Sequence, residues 1–329
     1  MKKGAKIIIG CSAVALVAVI GIGIAFFLNR GEAYRVVSVL SVDGTAQVER
    51  ETVGALDVYE GMTLQNGDSV SVEGNSSMIM QMDEDKFAYV EQNTLFSLVA
   101  EGSARNSKTR FELERGAITS DVQNKLSSDS SYELSTPNSV MAIRGTVVRV
   151  SSLTRDEWIT MFPELESVLG EYEEYDTITR LSTFEGTMAV RLRYPDGTED
   201  SEEKLISSGK EIWVGGNGTD SRYLGDITDI DIDTLGDEAI AALLAILGDN
   251  PELCFTESEL KNMQEKLQTE GSYPVYFFVD GVLFGTQFVE AGGCPEEPSL
   301  LPTPEGYWDV DFNKTVEETV YVHWISTSN

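Results

Sequence analysis

Runs of apolar and polar positions divide the chain into segments of different character. Residues 7–28, from Ile7 to Leu28, contain no charged side chain. As a helix with a rise of about 1.5 Å per residue, this stretch reaches roughly 33 Å, enough to cross the hydrocarbon core of a bilayer. The pattern therefore predicts a transmembrane helix after a cytoplasmic tip at residues 1–6.

Two other interpretations of this N-terminal segment are less favoured. A cleaved signal peptide usually has an apolar region of about 7 to 15 residues and a small-x-small cleavage site, of which Gly31-Glu32-Ala33 is a poor version. A lipidated Cys11 would leave too short an apolar stretch after Lys6. Because Lys2, Lys3 and Lys6 precede the apolar run, the positive-inside rule places the N-terminus in the cytoplasm and the body outside the cell.

Short stretches of alternating apolar and polar residues from Tyr34 to about Ser152 predict β-strands separated by tight turns. Val36 to Val42 runs into Asp43-Gly44 and then Thr45 to Val48, which predicts a hairpin because Asp-Gly suits a type I′ turn. Asn66-Gly67-Asp68 separates two further short strands in the same way. Regularly spaced short strands predict a mainly β fold, either a roll or a sandwich.

Met78, Met80 and Met82 fall on one face of a predicted strand. Alternating methionines suit either a soft-metal site or a hydrophobic core. Core packing is favoured because no His or Cys lies nearby in the sequence.

Helical patterns interrupt and follow the strands. Thr154-x-x-Glu157 is a capping box, and it predicts a helical insertion at about 154–170. Strands then resume, and a phrase from Phe184 to Val190 echoes the one from Val42 to Val48, which suggests a duplicated hairpin. Residues 215–272 are predicted to be an acidic linker with two connector helices, the second starting at Thr256.

Calcium binding is not favoured in the acidic linker. An EF-hand loop beginning at Asp229 would place Thr234 where Gly is required and Ile240 where the bidentate Glu belongs.

Strand patterns return in the last module, residues 273–325. Trp308 and Trp324 in this module suit either a carbohydrate platform or a small core, and the core is favoured.

The net charge also differs between the N-terminal segment and the rest of the chain. The 329 residues include 55 Asp plus Glu and 24 Lys plus Arg, which gives a net charge of −31. The first 33 residues carry +3, so the remaining 296 carry −34. A chain this acidic is not expected to bind nucleic acid, because docking on phosphates needs a basic face.

The side-chain inventory argues against catalysis. His323 is the only histidine, which excludes a His-dependent catalytic triad elsewhere in the chain and a multi-histidine zinc site. The sequence contains neither a Gly-rich phosphate loop after a strand nor a Cys pair with metal-ligand spacing. We therefore expect no enzymatic activity, no cofactor and no metal.

Cys254 and Cys294 lie in the predicted exterior part, where disulfides are permitted. A bridge would close a loop of about 40 residues and contribute about 3 to 4 kcal/mol in the chain-entropy model. The sequence leaves open whether the two cysteines pair or remain separate thiols.

One stretch resembles the signature of the FecR domain. Thr136-Pro137 is followed by Ile143-Arg144-Gly145-Thr146 and a closing strand, and upstream turns fit over residues 35–150, with a continuation to 214. The resemblance implies a FecR-like β domain over residues 34–214. Pro137 keeps Thr136 extended, and Gly145 allows close backbone approach or positive φ. Arg144 is expected either to contact a ligand or, as the favoured role, to form an internal ion pair or carbonyl anchor.

The last module resembles one copy of a Listeria-Bacteroides repeat, a small extracellular β-grasp-like module of bacterial surface proteins. The resemblance rests on Val275 to Gly281, Gly285 to Gly292, Gly306-Tyr307-Trp308 and Thr319 to Trp324. Asp309 to Phe312 depart from the family's Gly-Trp at that point, and the usual tandem copies are absent.

Together these features predict a non-catalytic, single-pass envelope protein that acts in ligand or protein binding or in envelope signalling. FecR regulators signal to a sigma factor through an intracellular N-terminal domain, whereas only Met1 to Lys6 is expected inside here. Any signal would therefore have to pass through a membrane partner. The alternative function is a structural or adhesive surface protein that binds cell-wall glycan or another surface protein.

Overall fold

The computed structural model describes residues 37–82, 85–103, 106–123, 130–269, 272–279, 282–290, 292–298, 302, 305–316 and 319–327. Its body is a two-sheet β structure with helices on one face, followed by a small four-stranded module. The predicted N-terminal tip and apolar segment lie outside the described residues.

Eighteen strands form the body. The first nine are β1 (Val37–Asp43), β2 (Ala46–Arg50), β3 (Gly54–Asp57), β4 (Thr63–Leu64), β5 (Ser69–Val72), β6 (Ser77–Met82), β7 (Lys86–Val90), β8 (Thr94–Ser103) and β9 (Asn106–Val122). The next nine are β10 (Ser131–Ser135), β11 (Ser139–Ala142), β12 (Val147–Leu153), β13 (Thr177–Glu185), β14 (Thr187–Leu192), β15 (Lys204–Ser207), β16 (Lys210–Gly216), β17 (Arg222–Leu224) and β18 (Thr228–Asp229).

These strands are arranged in two sheets that share β9. Sheet A has the order β3-β2-β5-β8-β9-β10-β11-β14-β15, in which only the β9–β10 pair is parallel. Sheet B has the order β4-β1-β6-β7-β9-β12-β13-β16, with β17 and β18 both on β16. Alternate residues of both sheets fill one continuous core. Met78, Met80 and Met82 belong to it and are almost fully buried, which confirms their predicted packing role.

The chain repeatedly crosses from one sheet to the other at sharp corners. Each crossing with a fully described connection contains a residue at positive φ: Gly44, Gly61, Gly67, Asn75, Asn93, Gly116, Gly145, Gly186 and Gly209. The predicted hairpin at Asp43-Gly44 is therefore wrong in its pairing. Its strands β1 and β2 lie in different sheets, where β1 pairs with β4 and β6 and β2 pairs with β3 and β5.

The echoed sequence phrases mark two such corners. Gly44 and Gly186 both have φ of +79° and both connect a strand of sheet B to a strand of sheet A. At Gly186 a Cβ would lie 2.8 Å from the Gly145 carbonyl oxygen and would overlap Thr146. Glycine is required there both by backbone conformation and by space.

Helices cover the face of sheet B that points away from sheet A. They are α1 (Arg155–Met161), α2 (Glu166–Leu169), α3 (Asp237–Ile246) and α4 (Glu257–Thr269), with 3₁₀ turns at Pro163–Leu165, Gly170–Tyr172 and Ile232–Thr234. The predicted capping box of α1 is confirmed, because the Thr154 hydroxyl accepts from the Glu157 N–H while Glu157 accepts from the Thr154 N–H. Thr256 and Glu259 make the same exchange at the start of α4.

The C-terminal module is a mixed sheet of the order β20-β19-β22-β21. Its strands are β19 (Ser272–Val279), β20 (Val282–Glu290), β21 (Gly306–Trp308) and β22 (Val320–Ser326), and its central β19–β22 pair is parallel. Trp308 and Trp324 pack edge to face at 5.1 Å and are at most 9% exposed. They form the core of the module, as predicted, rather than a carbohydrate platform.

The described part of the chain is mainly β, as predicted, with 49% strand and 16% helix, and the transmembrane helix of the predicted fold class is not found in it. No helix in the described part of the chain is both long enough and apolar enough to cross a membrane. The longest of these helices, α4, has 13 residues and spans about 20 Å, whereas the hydrocarbon core of a bilayer is about 30 Å thick.

We predict that Gly186→Ala lowers the free energy of unfolding by about 2 to 5 kcal/mol. About 1 to 2 kcal/mol comes from the left-handed backbone and the rest from overlap with Thr146 and Gly145. Gly197→Ala is the matched control, because Gly197 has a similar φ of +83° and open space around it. Urea unfolding followed by tryptophan fluorescence should therefore show a larger loss of unfolding free energy for Gly186→Ala than for Gly197→Ala. Equal losses at the two positions would contradict the close-packed corner.

Candidate functional site

The first half of the FecR-like motif forms the turn between β10 and β11. The buried Thr136 donates its backbone N–H to the Ser139 carbonyl at 2.8 Å, and its hydroxyl donates to Asn138 Oδ1 at 2.9 Å. Asn138 Nδ2 in turn donates to the carbonyls of Thr177 and Val214 at 3.2 and 3.0 Å. Because Thr177 and Val214 belong to sheet B, the turn ties the two sheets together.

The second half of the motif forms the corner between β11 and β12. Gly145 has φ of +65°, and Thr146 is buried with its hydroxyl unpartnered among the described residues. Pro137 and Arg144 are both exposed. Arg144 makes no ion pair or hydrogen bond with a described residue, so its predicted role as an internal anchor is wrong. The corner at Gly145 places this side chain on the solvent side.

Cys254 and Cys294 are both free thiols in the structure. Cys254 is half-buried beside Gly209, and burial raises the pKa of its thiol to about 11. Cys294 is exposed on the C-terminal module. The disulfide that the sequence left open is absent.

Two arginines that the sequence did not single out form buried ion pairs on sheet B. Arg149 lies between Val148 and Val150, which face the core, so its side chain points to the helix-covered face of sheet B. It binds Glu91 with two hydrogen bonds of 2.7 Å, from Nε to Oε1 and from Nη2 to Oε2. Such bidentate pairs are strong and directional.

Arg180 forms the second pair on the same face. It donates from Nε to Glu211 at 2.8 Å and from Nη1 and Nη2 to the carbonyl and hydroxyl of Thr234 at 2.7 and 2.8 Å. Burial lowers the pKa of Arg180 despite the adjacent Glu211. Burial also acts to lower the pKa of Arg149, but Glu91 more than offsets it and the pKa is raised.

A cleft of about 800 Å³ remains where the helices incompletely cover sheet B. We call it the junction cleft because the β sandwich, the helices and the C-terminal module all contribute to its wall. Its lining includes Gln92 and Gly116 from the corners of the sandwich, Glu157 from α1, Glu238 from α3, and Tyr276 and Tyr321 from the C-terminal module.

Gln92 and Asn75 connect the walls of the cleft through hydrogen bonds. Gln92 donates from Nε2 to Glu238 Oε2 at 3.1 Å and from its backbone N–H to Oε1 at 3.3 Å, while its Oε1 accepts the Asn75 N–H at 3.1 Å. The Asn75 amide accepts the Tyr321 N–H at 2.9 Å and donates to the Tyr321 carbonyl. Asn75 therefore pairs with β22 as a residue of a neighbouring strand would.

His323 makes a second contact between the module and the body. Its ring occupies the space beside Gly74 into which a Cβ would project, and it stacks on Phe278 with ring centroids 5.5 Å apart. Nδ1 lies 3.4 Å from an Asp309 carboxylate oxygen, and Nε2 is buried without a partner among the described residues.

The titratable groups on the α3 side of the cleft are strongly perturbed. Burial raises the pKa of Glu238 well above its ordinary value, and the charges of Glu91 and Asp237 raise it further. Burial likewise raises the pKa of Asp237, and of Tyr276 and Tyr321 in the module. Perturbed groups in a cleft are typical of functional sites.

Metal chemistry has no support in the described part of the chain. Among these residues, no group of three or more His, Cys, Asp or Glu side chains could hold a metal ion. The expectation that the chain needs no metal or cofactor stays a prediction.

Comparison with known proteins yields only distant similarity. No family model and no curated protein matches the chain. Two crystal structures from Parabacteroides distasonis ATCC 8503, each described as a "putative anti-sigma factor", are similar to it. One is 13% identical with a TM-score of 0.33 and matches 50% of this chain and 59% of its own. The other is 11% identical with a TM-score of 0.35 and matches 79% of this chain and 99% of its own.

Neither similarity assigns the chain to a family. The chain spans about three fifths of the first structure's length. The FecR resemblance therefore rests on the motif residues from Thr136 to Thr146.

We predict that Glu91→Ala destabilises the protein by about 3 to 5 kcal/mol, because it leaves the charge of Arg149 buried without its partner. The double variant Glu91→Ala with Arg149→Met should recover much of this loss, since no unpaired charge then remains. Glu257→Ala, which breaks an exposed pair with Lys261, should leave the urea midpoint unchanged. A Glu91→Ala midpoint equal to that of Glu257→Ala would contradict the buried pair.

Proposed function

We propose that the chain is a non-catalytic binding protein of the cell envelope, that its β body lies outside the cytoplasm, and that ligand binding in the junction cleft serves signalling. The observation that carries the proposal is the cleft itself. Its volume of about 800 Å³ lies within the usual range for ligand sites, and separate segments of the chain contribute its wall.

The way the C-terminal module is attached to the body supports a signalling role. Among the described residues, the module contacts the body through side chains such as Asn75, Gln92 and His323, and none of its strands pairs with a strand of the body. A ligand that touches both α3 and the module would favour one arrangement of the two over others. Occupancy of the cleft would thus change the surface that the module offers to a partner.

Binding without catalysis agrees with the chemistry of the cleft. Its lining contains no His and no Cys, and its arginines are engaged in ion pairs. Trp308 and Trp324 give no support to glycan binding in the adhesive alternative, because both form the module core.

We predict that Ala241→Trp abolishes the signalling response by filling the cleft. Ala241 is exposed on α3 and lines the cleft, whereas Ala245 is exposed one turn further along and does not line it. In the native host, transcript levels should change in cells producing Ala241→Trp as they do in a deletion strain. Ala245→Trp, produced at the same level, should match the parent.

Three results would overturn the proposal. A deletion strain with parental transcript levels would remove the signalling role. Identical behaviour of the two tryptophan variants would remove the role of the cleft. Protection of the body from protease added to intact, wall-stripped cells would remove the exterior location.

A further inference from the structure

The junction cleft carries an excess of negative charge after all its ion pairs are formed. Three of its carboxylates have cationic partners within the lining: Glu91 pairs with Arg149 at 2.7 Å, Glu157 with Arg115 at 3.2 Å, and Asp233 with Lys266 at 3.0 Å. The three others, Glu164, Asp237 and Glu238, make no ion pair with a described residue.

These three carboxylates line the same cleft as the aromatic side chain of Tyr276. The charges of Asp237, Glu238 and Glu164 all act on Tyr276, which stacks on Tyr321 with ring centroids 5.2 Å apart. The carboxylates come from α3 and from the turn after α1, whereas the tyrosines come from the module. The charge and the rings therefore meet only when the module is docked.

Apolar and aromatic side chains form much of the remaining wall. Phe162 and Pro163 follow α1, Met263 comes from α4, and Tyr273 and Phe278 come from β19. Aromatic rings beside unpaired carboxylates attract cations both through the ring face and through direct charge. An apolar wall adds affinity for the stem that carries the cation.

We propose that the junction cleft binds an organic cation, an ammonium or guanidinium group on an apolar stem, with Glu164, Asp237 and Glu238 as its counter-charges and Tyr276 and Tyr321 as its aromatic wall. This assignment rests on the proposed binding function and names the ligand chemistry of the same cleft. An inorganic ion would leave the apolar wall unused, and an anion would meet three uncompensated carboxylates.

Binding of a cation is linked to protonation of Glu238. The charged groups that face this carboxyl are Glu91 from the corner after β7, Arg149 from β12 and Asp237 from its own helix. The tyrosines that face it are Tyr276 and Tyr321 from the module. Since its pKa is raised above the ordinary value of about 4.3, Glu238 is protonated at low pH and becomes charged as pH rises through the raised pKa. A bound cation favours the charged form, so affinity rises with pH over this interval and binding releases a proton.

The test is isothermal titration of the full chain with pentylamine, and with 1-pentanol as the neutral probe of nearly equal stem. We expect pentylamine to bind and 1-pentanol to bind at least tenfold more weakly. Glu164→Gln and Glu238→Gln should each weaken pentylamine binding about tenfold. Glu174→Gln, an exposed acid outside the cleft, is the matched control and should leave the affinity unchanged.

Proton release gives an independent measurement on the same samples. Titrations in buffers of different ionisation enthalpy should show release for the parent protein and for Glu174→Gln, with release lost in Glu238→Gln. Equal affinity for pentylamine and 1-pentanol, or unchanged pentylamine affinity in both cleft variants, would overturn the assignment.

Two further titrants distinguish the source of the cation. Agmatine represents a free amine, and a hexapeptide of alternating lysine and leucine represents a basic segment of a partner protein. Tighter binding of agmatine assigns a small-molecule ligand, and tighter binding of the peptide assigns a protein ligand. If no cation binds while Ala241→Trp still abolishes signalling, the ligand chemistry is wrong and the binding function stands.

Discussion

The left-handed corners of the sandwich are the constraint on which the rest of the structure depends. A chain that repeatedly leaves one sheet for the other must turn within a residue or two, and positive φ at positions such as Asn75, Asn93 and Gly116 makes this possible. The corners also bind each other, since the Asn93 N–H donates to Glu73 and the Ala117 N–H donates to Thr94 Oγ1. The result is a continuous row of corners beneath the junction cleft.

The position of the junction cleft follows from this row of corners. The corner at Asn75 points an amide at the backbone of Tyr321, and the corner beside Gln92 points another at Glu238, so the module and α3 are both fastened to the sandwich. Behind them, sheet B carries Arg149 and Arg180 on the face that the helices cover, and each is paired with a carboxylate because an unpaired buried charge would be costly. The helices cover that face except at the cleft, where three carboxylates keep no cationic partner.

Local patterns predicted local structure well. Alternation placed Met78, Met80 and Met82 in the core, and the capping box at Thr154 and the helix start predicted at Thr256 are both found in the structure. Such local patterns do not predict which strands pair with each other. Asp43-Gly44 specifies a left-handed turn, but only long-range packing decides that the next strand joins the other sheet. The motif points to Arg144 as an internal anchor, yet Arg144 is exposed, and the buried arginine is Arg149 on the other side of the corner at Gly145. The cleft depends on contacts between residues as distant as 75 and 321, for which no local sequence signal exists.

The central claim is that the corner row holds the C-terminal module against α3 and so creates the cleft. Amide hydrogen exchange at Tyr321 tests it most directly, because this N–H donates to Asn75 and faces no other strand. Asn75→Gly keeps the left-handed corner, whose φ is +53°, and removes only the side-chain amide. The account predicts a protected Tyr321 amide in the parent and loss of that protection in Asn75→Gly. Equal exchange in the two proteins would contradict it.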